Sequence, residues 1–176
     1  MKRKYYMKKN LTILVLFLIF CNVSSQDINK IIFDSKAEEE ILYGYCDREG
    51  LTSGQFSSWF DPEYQSYQVD DSIIFTVDLD FLYTSNITVV LGTWCSDSQR
   101  EVPRLFKILD YLHFPENNLK LICIDRSKNA EGIEVADLNI QLVPTIIFFQ
   151  GDVEMGRIIE SPEVSLESDI AGIMRQ

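Results

Sequence analysis

Ile87-Thr88-Val89-Val90-Leu91-Gly92-Thr93-Trp94-Cys95-Ser96-Asp97-Ser98 decides how this 176-residue chain is read. Its first half is an unbroken apolar run, the pattern of a strand covered on both faces. From Ser96 to His113 the pattern changes: Val102, Leu105, Phe106, Leu109 and Leu112 share one helical face. Cys95 thus stands where a buried strand gives way to a helix. Free backbone N–H groups and the helix dipole stabilise negative charge at such a junction. The thiolate is the nucleophile of disulfide exchange, and a cysteine so placed can have a lowered pKa. The Ser98 hydroxyl, one turn on, can donate to that thiolate, whereas the Asp97 carboxylate opposes a second negative charge.

Downstream, Leu119–Ile124 and Thr145–Phe149 read as further strands, with a short polar helix or loop over Asn129–Asn139 between them. Gly151-Asp152 is a turn signal, Gly156–Glu160 can pair back as a fourth strand, and Leu166–Met174 closes the chain as a helix. The order predicts an α/β fold, a central sheet flanked by helices. Upstream, Asp27–Ser85 is polar and rich in aromatics. Ile41–Cys46 can form a short strand. Phe56, Trp59, Phe60, Tyr64 and Tyr67 recur at helical steps, with Pro62 expected to interrupt them. Asp70 or Asp71 can cap another helix running to about Leu82.

Trp94-Cys95-Ser96-Asp97-Ser98 resembles the W-C-x-x-C motif of the thioredoxin superfamily, with serine in place of the second cysteine. Pro103 falls where family members often carry a helix-kinking proline. Val143-Pro144-Thr145 precedes a strand and resembles the family's cis-proline loop. Together with Glu101-Val102-Pro103, the motif run looks like that of bacterial exported thioredoxin-family proteins. The resemblance covers about Ile87–Arg175. It implies a thioredoxin-like fold with a central mixed sheet and a helical N-terminal extension, divided as residues 1–25, 26–85 and 86–176. It further implies that Cys95 and Ser98 act in catalysis, and that Trp94, Val143, Pro144 and Thr145 receive a substrate backbone. Two positions depart from the family. Ser98 cannot close an intramotif disulfide, so the usual second nucleophile is missing. Val89 stands six positions before Cys95, where thioredoxins proper carry a buried acid.

The N-terminal residues have a character of their own. Five Lys and Arg residues lie before an apolar run from Leu11 to Cys21, and Val23-Ser24-Ser25 supplies a small-residue pattern. This is the layout of a secretory signal peptide over residues 1–25. The apolar run is short against the roughly 20 residues needed to span a bilayer. An uncleaved anchor and lipidation of Cys21 are the alternatives, and either would tether the protein to a membrane. The whole chain carries a net charge of −11; removal of the segment leaves 11 basic against 27 acidic residues, or −16. Such an acidic surface argues against nucleic acid as a partner. Hydrophobic residues at 46% are enough for a core without disulfide staples.

Cleavage would leave Cys46, Cys95 and Cys123, an odd set. Cys46 is either a resolving partner for Cys95 or, as free cysteines more often are, a small buried hydrophobe. Cys123 reads as core, and His113 as a helix-end residue. Three scattered cysteines and one histidine lack metal-site spacing, and no cofactor is implied. The expectation is an exported, periplasmic monothiol oxidoreductase or isomerase, whose partner is a disulfide-containing protein or a low-molecular-weight thiol. The other class is a non-catalytic peptide-binding module on the same scaffold.

Overall fold

The computed structural model describes residues 28–175 apart from 131 and 134, so the predicted signal segment lies outside the described residues. The chain begins with a hairpin of β1 (Ile31–Asp34) and β2 (Glu39–Leu42). A third strand, β3 (Gly44–Cys46), follows at once but joins a different sheet. The expected single strand over 41–46 is thus divided. Gly44 takes φ +89°, in the left-handed region that glycine enters freely, and turns the chain from one sheet to the other.

Four short helices connect β3 to the centre of the fold: α1 (Arg48–Leu51), α2 (Ser57–Ser66), α3 (Asp71–Ile74) and α4 (Leu79–Tyr83). Pro62 lies inside α2 and does not interrupt it. In the second turn the proline deprives only the Ser58 carbonyl of its i+4 donor, and Phe60 anchors the helix against Phe106 at 5.5 Å between ring centroids. The single helix expected from Asp70 to Leu82 is two. Asp70 caps α3 by accepting from Ser72 N, and Asp78 starts α4 by accepting from Phe81 N.

The central sheet has the order β3-β5-β4-β6-β7, with β4 (Asn86–Leu91), β5 (Leu119–Cys123), β6 (Thr145–Gln150) and β7 (Val153–Ile159). Only β4 and β5 run parallel; the other three pairings are antiparallel. This mixed sheet with flanking helices is the α/β, thioredoxin-like architecture anticipated above. The N-terminal extension is helical as expected, but it also contributes the β1–β2 hairpin and the edge strand β3.

The sheet separates two apolar clusters of unequal size. Val89, Leu91, Leu121, Cys123, Ile146 and Phe148 face α2, α5 (Ser96–Tyr111) and α6 (Leu166–Ile173) in the larger one. Val90, Ile122 and Ile124 face the opposite way, under the 3-10 turn Val135–Leu138 and its flanking loops. That turn lies in the stretch 129–139 read as a short polar helix or loop. Helix α5 ends where His113 takes φ +55°: Phe114 N bonds Leu109 O and His113 N bonds Asp110 O, a Schellman termination.

Asp110 stands in the last turn of α5, where the helix dipole disfavours an acid. Two residues of the extension offset this. Arg48 donates to both carboxylate oxygens, at 2.8 and 2.5 Å, and Tyr64 Oη donates to Oδ2 at 2.6 Å. Burial alone would raise the Asp110 pKa; the Arg48 and Tyr64 hydrogen bonds outweigh it and hold the carboxyl below its ordinary value. A depressed folded pKa stabilises the fold above the unfolded value of about 3.9 and ceases to do so as pH falls through the folded value. The Arg48 and Asp110 side chains are a third exposed, so Asp110→Ala is expected to cost about 1–2 kcal/mol at pH 7 rather than the full value of a buried pair. Urea unfolding at pH 7 and pH 3 checks this: the gap between wild type and variant should shrink at pH 3, and an equal gap would remove the ion pair from the account.

Candidate active site

Strand β4 is buried from Ile87 to Leu91 and delivers the chain to Gly92 just past its carboxyl end, at the middle of the sheet. Gly92 is required by what covers it. A Cβ there would lie 2.5 Å from the Trp94 ring, closer than real contacts allow. The indole folds back over the strand end, and its Nε1 donates to Ile124 O at 2.8 Å. The Arg126 guanidinium lies over the Trp94 ring, 4.6 Å from its centroid. Asp34 accepts from the Arg126 backbone N–H at 2.8 Å, the main cause that holds its carboxyl below the ordinary range. The first hairpin thereby fixes the loop beside Trp94.

Cys95 is the N-cap residue of α5, with φ −100° and ψ 123°. Its own N–H bonds Gly92 O, and Gln99 N–H bonds its carbonyl, both at 2.9 Å. Gln99 also reaches back with Nε2 to Thr93 O at 2.8 Å and holds the turn closed. The Cys95 side chain is partly exposed and carries no capping bond. Its Sγ donates to Val143 O at 3.2 Å. The Val143–Pro144 peptide is cis, and this loop leads into β6. The strand–helix junction and the proline loop, 48 residues apart, therefore meet at the thiol.

The remaining expected residues take distinct positions. Ser98 is fully buried, and its hydroxyl accepts from Gly92 N–H at 3.2 Å, while the thiol's hydrogen bond goes to the Val143 carbonyl. Ser98 is thus tied to the strand end that carries the motif. Thr145 is buried, and its hydroxyl donates to Leu142 O at 2.6 Å. Pro144 O accepts from Glu160 N–H at 2.7 Å, which leaves Val143 as the residue of the loop whose backbone meets Cys95. Cys46 is not brought to Cys95. It faces the larger cluster, with its Sγ 2.9 Å from that of Cys123, whereas Cys95 packs against the smaller cluster across the sheet.

Asp97 does not act on the thiol as a lone charge. Arg100 lies 2.8 Å from it, one turn along the helix, and also bonds Glu101 at 2.6 Å. The Glu101 hydrogen bond, offset in part by burial, holds the Arg100 guanidinium above its ordinary pKa, and Asp97 adds to this. Glu101 is itself buried on α5 and shares Arg104, which lies 2.6 Å from Glu63 of α2.

Two contributors, Arg126 and Asp34, were missed in the sequence. Arg126 could have been found by its place, since it follows the carboxyl end of β5, where open α/β sheets build their sites. Asp34 carries no local signal, being 92 residues from the N–H it accepts. Among the described residues no group of three or more His, Cys, Asp or Glu side chains could hold a metal ion, and no helix is long and apolar enough to cross a membrane.

No family model and no curated protein matches the chain. Solved structures similar to it include a protein of unknown function from Pseudomonas aeruginosa, at 17% identity and TM-score 0.48, covering 66% of this chain and 82% of that one. An HIV epitope-scaffold is similar at 15% identity and TM-score 0.48, with the same coverage. Thioredoxin O2 from Arabidopsis thaliana, in its oxidized state, is similar at 18% identity and TM-score 0.39, covering 60% of this chain and 86% of that one.

Proposed function

We propose that this protein is a monothiol thiol–disulfide oxidoreductase or isomerase that acts through Cys95. One observation carries the reading: a partly exposed cysteine thiol at the N-cap of a 16-residue helix, hydrogen-bonded to the carbonyl that precedes a cis-proline. The Cys95 thiolate attacks one sulfur of a substrate disulfide; a mixed disulfide forms and the other substrate sulfur leaves as a thiolate. A second thiol then attacks the mixed disulfide and releases Cys95. Ser98 is no nucleophile for that step and Cys46 lies across the sheet, so the second thiol is external. It belongs to the substrate in isomerisation, or to a small thiol in reduction.

A bound substrate competes with Cys95 for the Val143 carbonyl, and Trp94 walls the site on the side of β5. The basic and apolar N-terminal residues support export to an oxidising compartment such as the periplasm, where disulfide substrates are found. Disulfide-containing proteins and low-molecular-weight thiols are the partners in this reading.

Ser98→Cys tests it by supplying the missing nucleophile. Turnover in insulin reduction with dithiothreitol should rise about tenfold over wild type, since resolution becomes intramolecular. No gain, with the introduced thiol shown to be reduced and the fold intact, would mean that the surroundings of Cys95 do not support exchange.

A further inference from the structure

Two cysteines meet in the core, away from the site just described. Cys46 ends β3 and Cys123 ends β5. In the antiparallel register Gly44 lies opposite Cys123 and Cys46 opposite Leu121, so the cysteines are diagonal neighbours on one face of the sheet. Both belong to the larger cluster, at 6% and 0% exposure, as free thiols with their Sγ atoms 2.9 Å apart. Burial, with the Cys46 contact adding to it, pushes the Cys123 thiol up, so that thiol is not poised as a nucleophile in the folded state.

We propose that Cys46 and Cys123 are joined in the mature protein by a structural disulfide, made while the chain folds by exchange with a small-molecule disulfide such as oxidised glutathione. One cysteine thiolate attacks the small disulfide, forms a mixed disulfide and expels one small thiol. The other cysteine attacks that mixed disulfide and expels the second. The two protein thiols lose two protons and two electrons, and the oxidant takes both up as two thiols. Burial places the reaction before the core closes, when both sulfurs can be reached. Little movement is then needed, since the strand pairing already holds the sulfurs close to the bonding distance of about 2.05 Å. The bond spans 77 residues and ties the edge strand of the extension to the parallel pair at the centre of the sheet. It also accounts for the odd number of cysteines beyond residue 25: two pair with each other, and Cys95 remains the working thiol. The inference stands apart from the Cys95 reading, because it holds whether or not Cys95 exchanges.

The test is to refold the reduced full chain in a mixture of oxidised and reduced glutathione, block free thiols with iodoacetamide, and map the peptides without reduction. The expected result is a Cys46–Cys123 link, with Tm about 10 °C above that of the same chain kept reduced. Cys95→Ser should keep both the link and the shift; Cys46→Ala should lose both. Recovery of Cys46 and Cys123 as blocked thiols, or a link from either to Cys21 or Cys95, overturns the proposal. A Cys46–Cys123 link that leaves Tm unchanged overturns its structural role.

Discussion

Oxidised glutathione added to the folded protein should yield one mixed disulfide, at Cys95, and Cys95→Ser should reduce the yield of adduct by at least about tenfold. Access is the first reason. Cys46 and Cys123 are buried in the core cluster, while Cys95 lies beyond the carboxyl end of the central strand with its side chain partly open. Charge is the second. The Asp97 carboxylate, close to the thiol in sequence, is paired with Arg100 at 2.8 Å and does not face it as a lone charge. Persistence is the third. A two-cysteine site expels its adduct within the motif, whereas here Ser98 is buried and bonded to Gly92 N–H, and Cys46 faces the other cluster. The adduct should therefore survive gel filtration and be released by dithiothreitol. Intact-mass measurement on wild type and Cys95→Ser decides the matter. Unmodified Cys95 under conditions that label a model thiol would favour the non-catalytic binding module.

The parts of the fold that were legible rest on local patterns. The run 87–91 falls within β4 because a short, mostly apolar stretch rich in β-branched residues suits a strand covered on both faces. Helix α5 was legible from its 3.6-residue period, and its start followed from the end of the strand. Cys95 and its proline loop were readable because motif and loop each mark themselves in sequence. What stayed hidden depends on contacts between distant residues. The meeting of Cys46 with Cys123 needs the antiparallel register of β3 on β5, which no local signal encodes. The tie between α5 and α2 is hidden in the same way, since Arg104 meets Glu63 at 2.6 Å across 41 residues of sequence. Pro62 shows the same limit from the other side: a proline rule read locally breaks a helix that packing on Phe106 keeps whole.

Phe106→Ala should be the most destabilising single change, at about 3–5 kcal/mol, because it empties the point where the extension meets α5. Phe106 projects from the inner face of α5 and is 2% exposed. Its ring meets Phe60 of α2 edge-on at 5.5 Å, and the Arg48 guanidinium lies 4.6 Å from its centroid. Removal of the ring leaves a cavity and also loosens Arg48, which bridges α1 to Asp110. One buried cluster runs from Leu42 and Phe60 of the extension to Phe148 and Ile170 of the later residues, so the two parts of the chain should melt together. A single calorimetric transition displaced downward by about 10 °C is the expected outcome. Phe75→Ala supplies the control: that side chain is 77% exposed, and its loss should change stability by no more than about 0.5 kcal/mol. A scan of Phe106→Ala with two transitions, only one of them displaced, would mean that residues 26–85 fold as a unit apart from the sheet. Arg126, held beside Trp94 through Asp34 of the first hairpin, would then owe its position to docking rather than to a shared core.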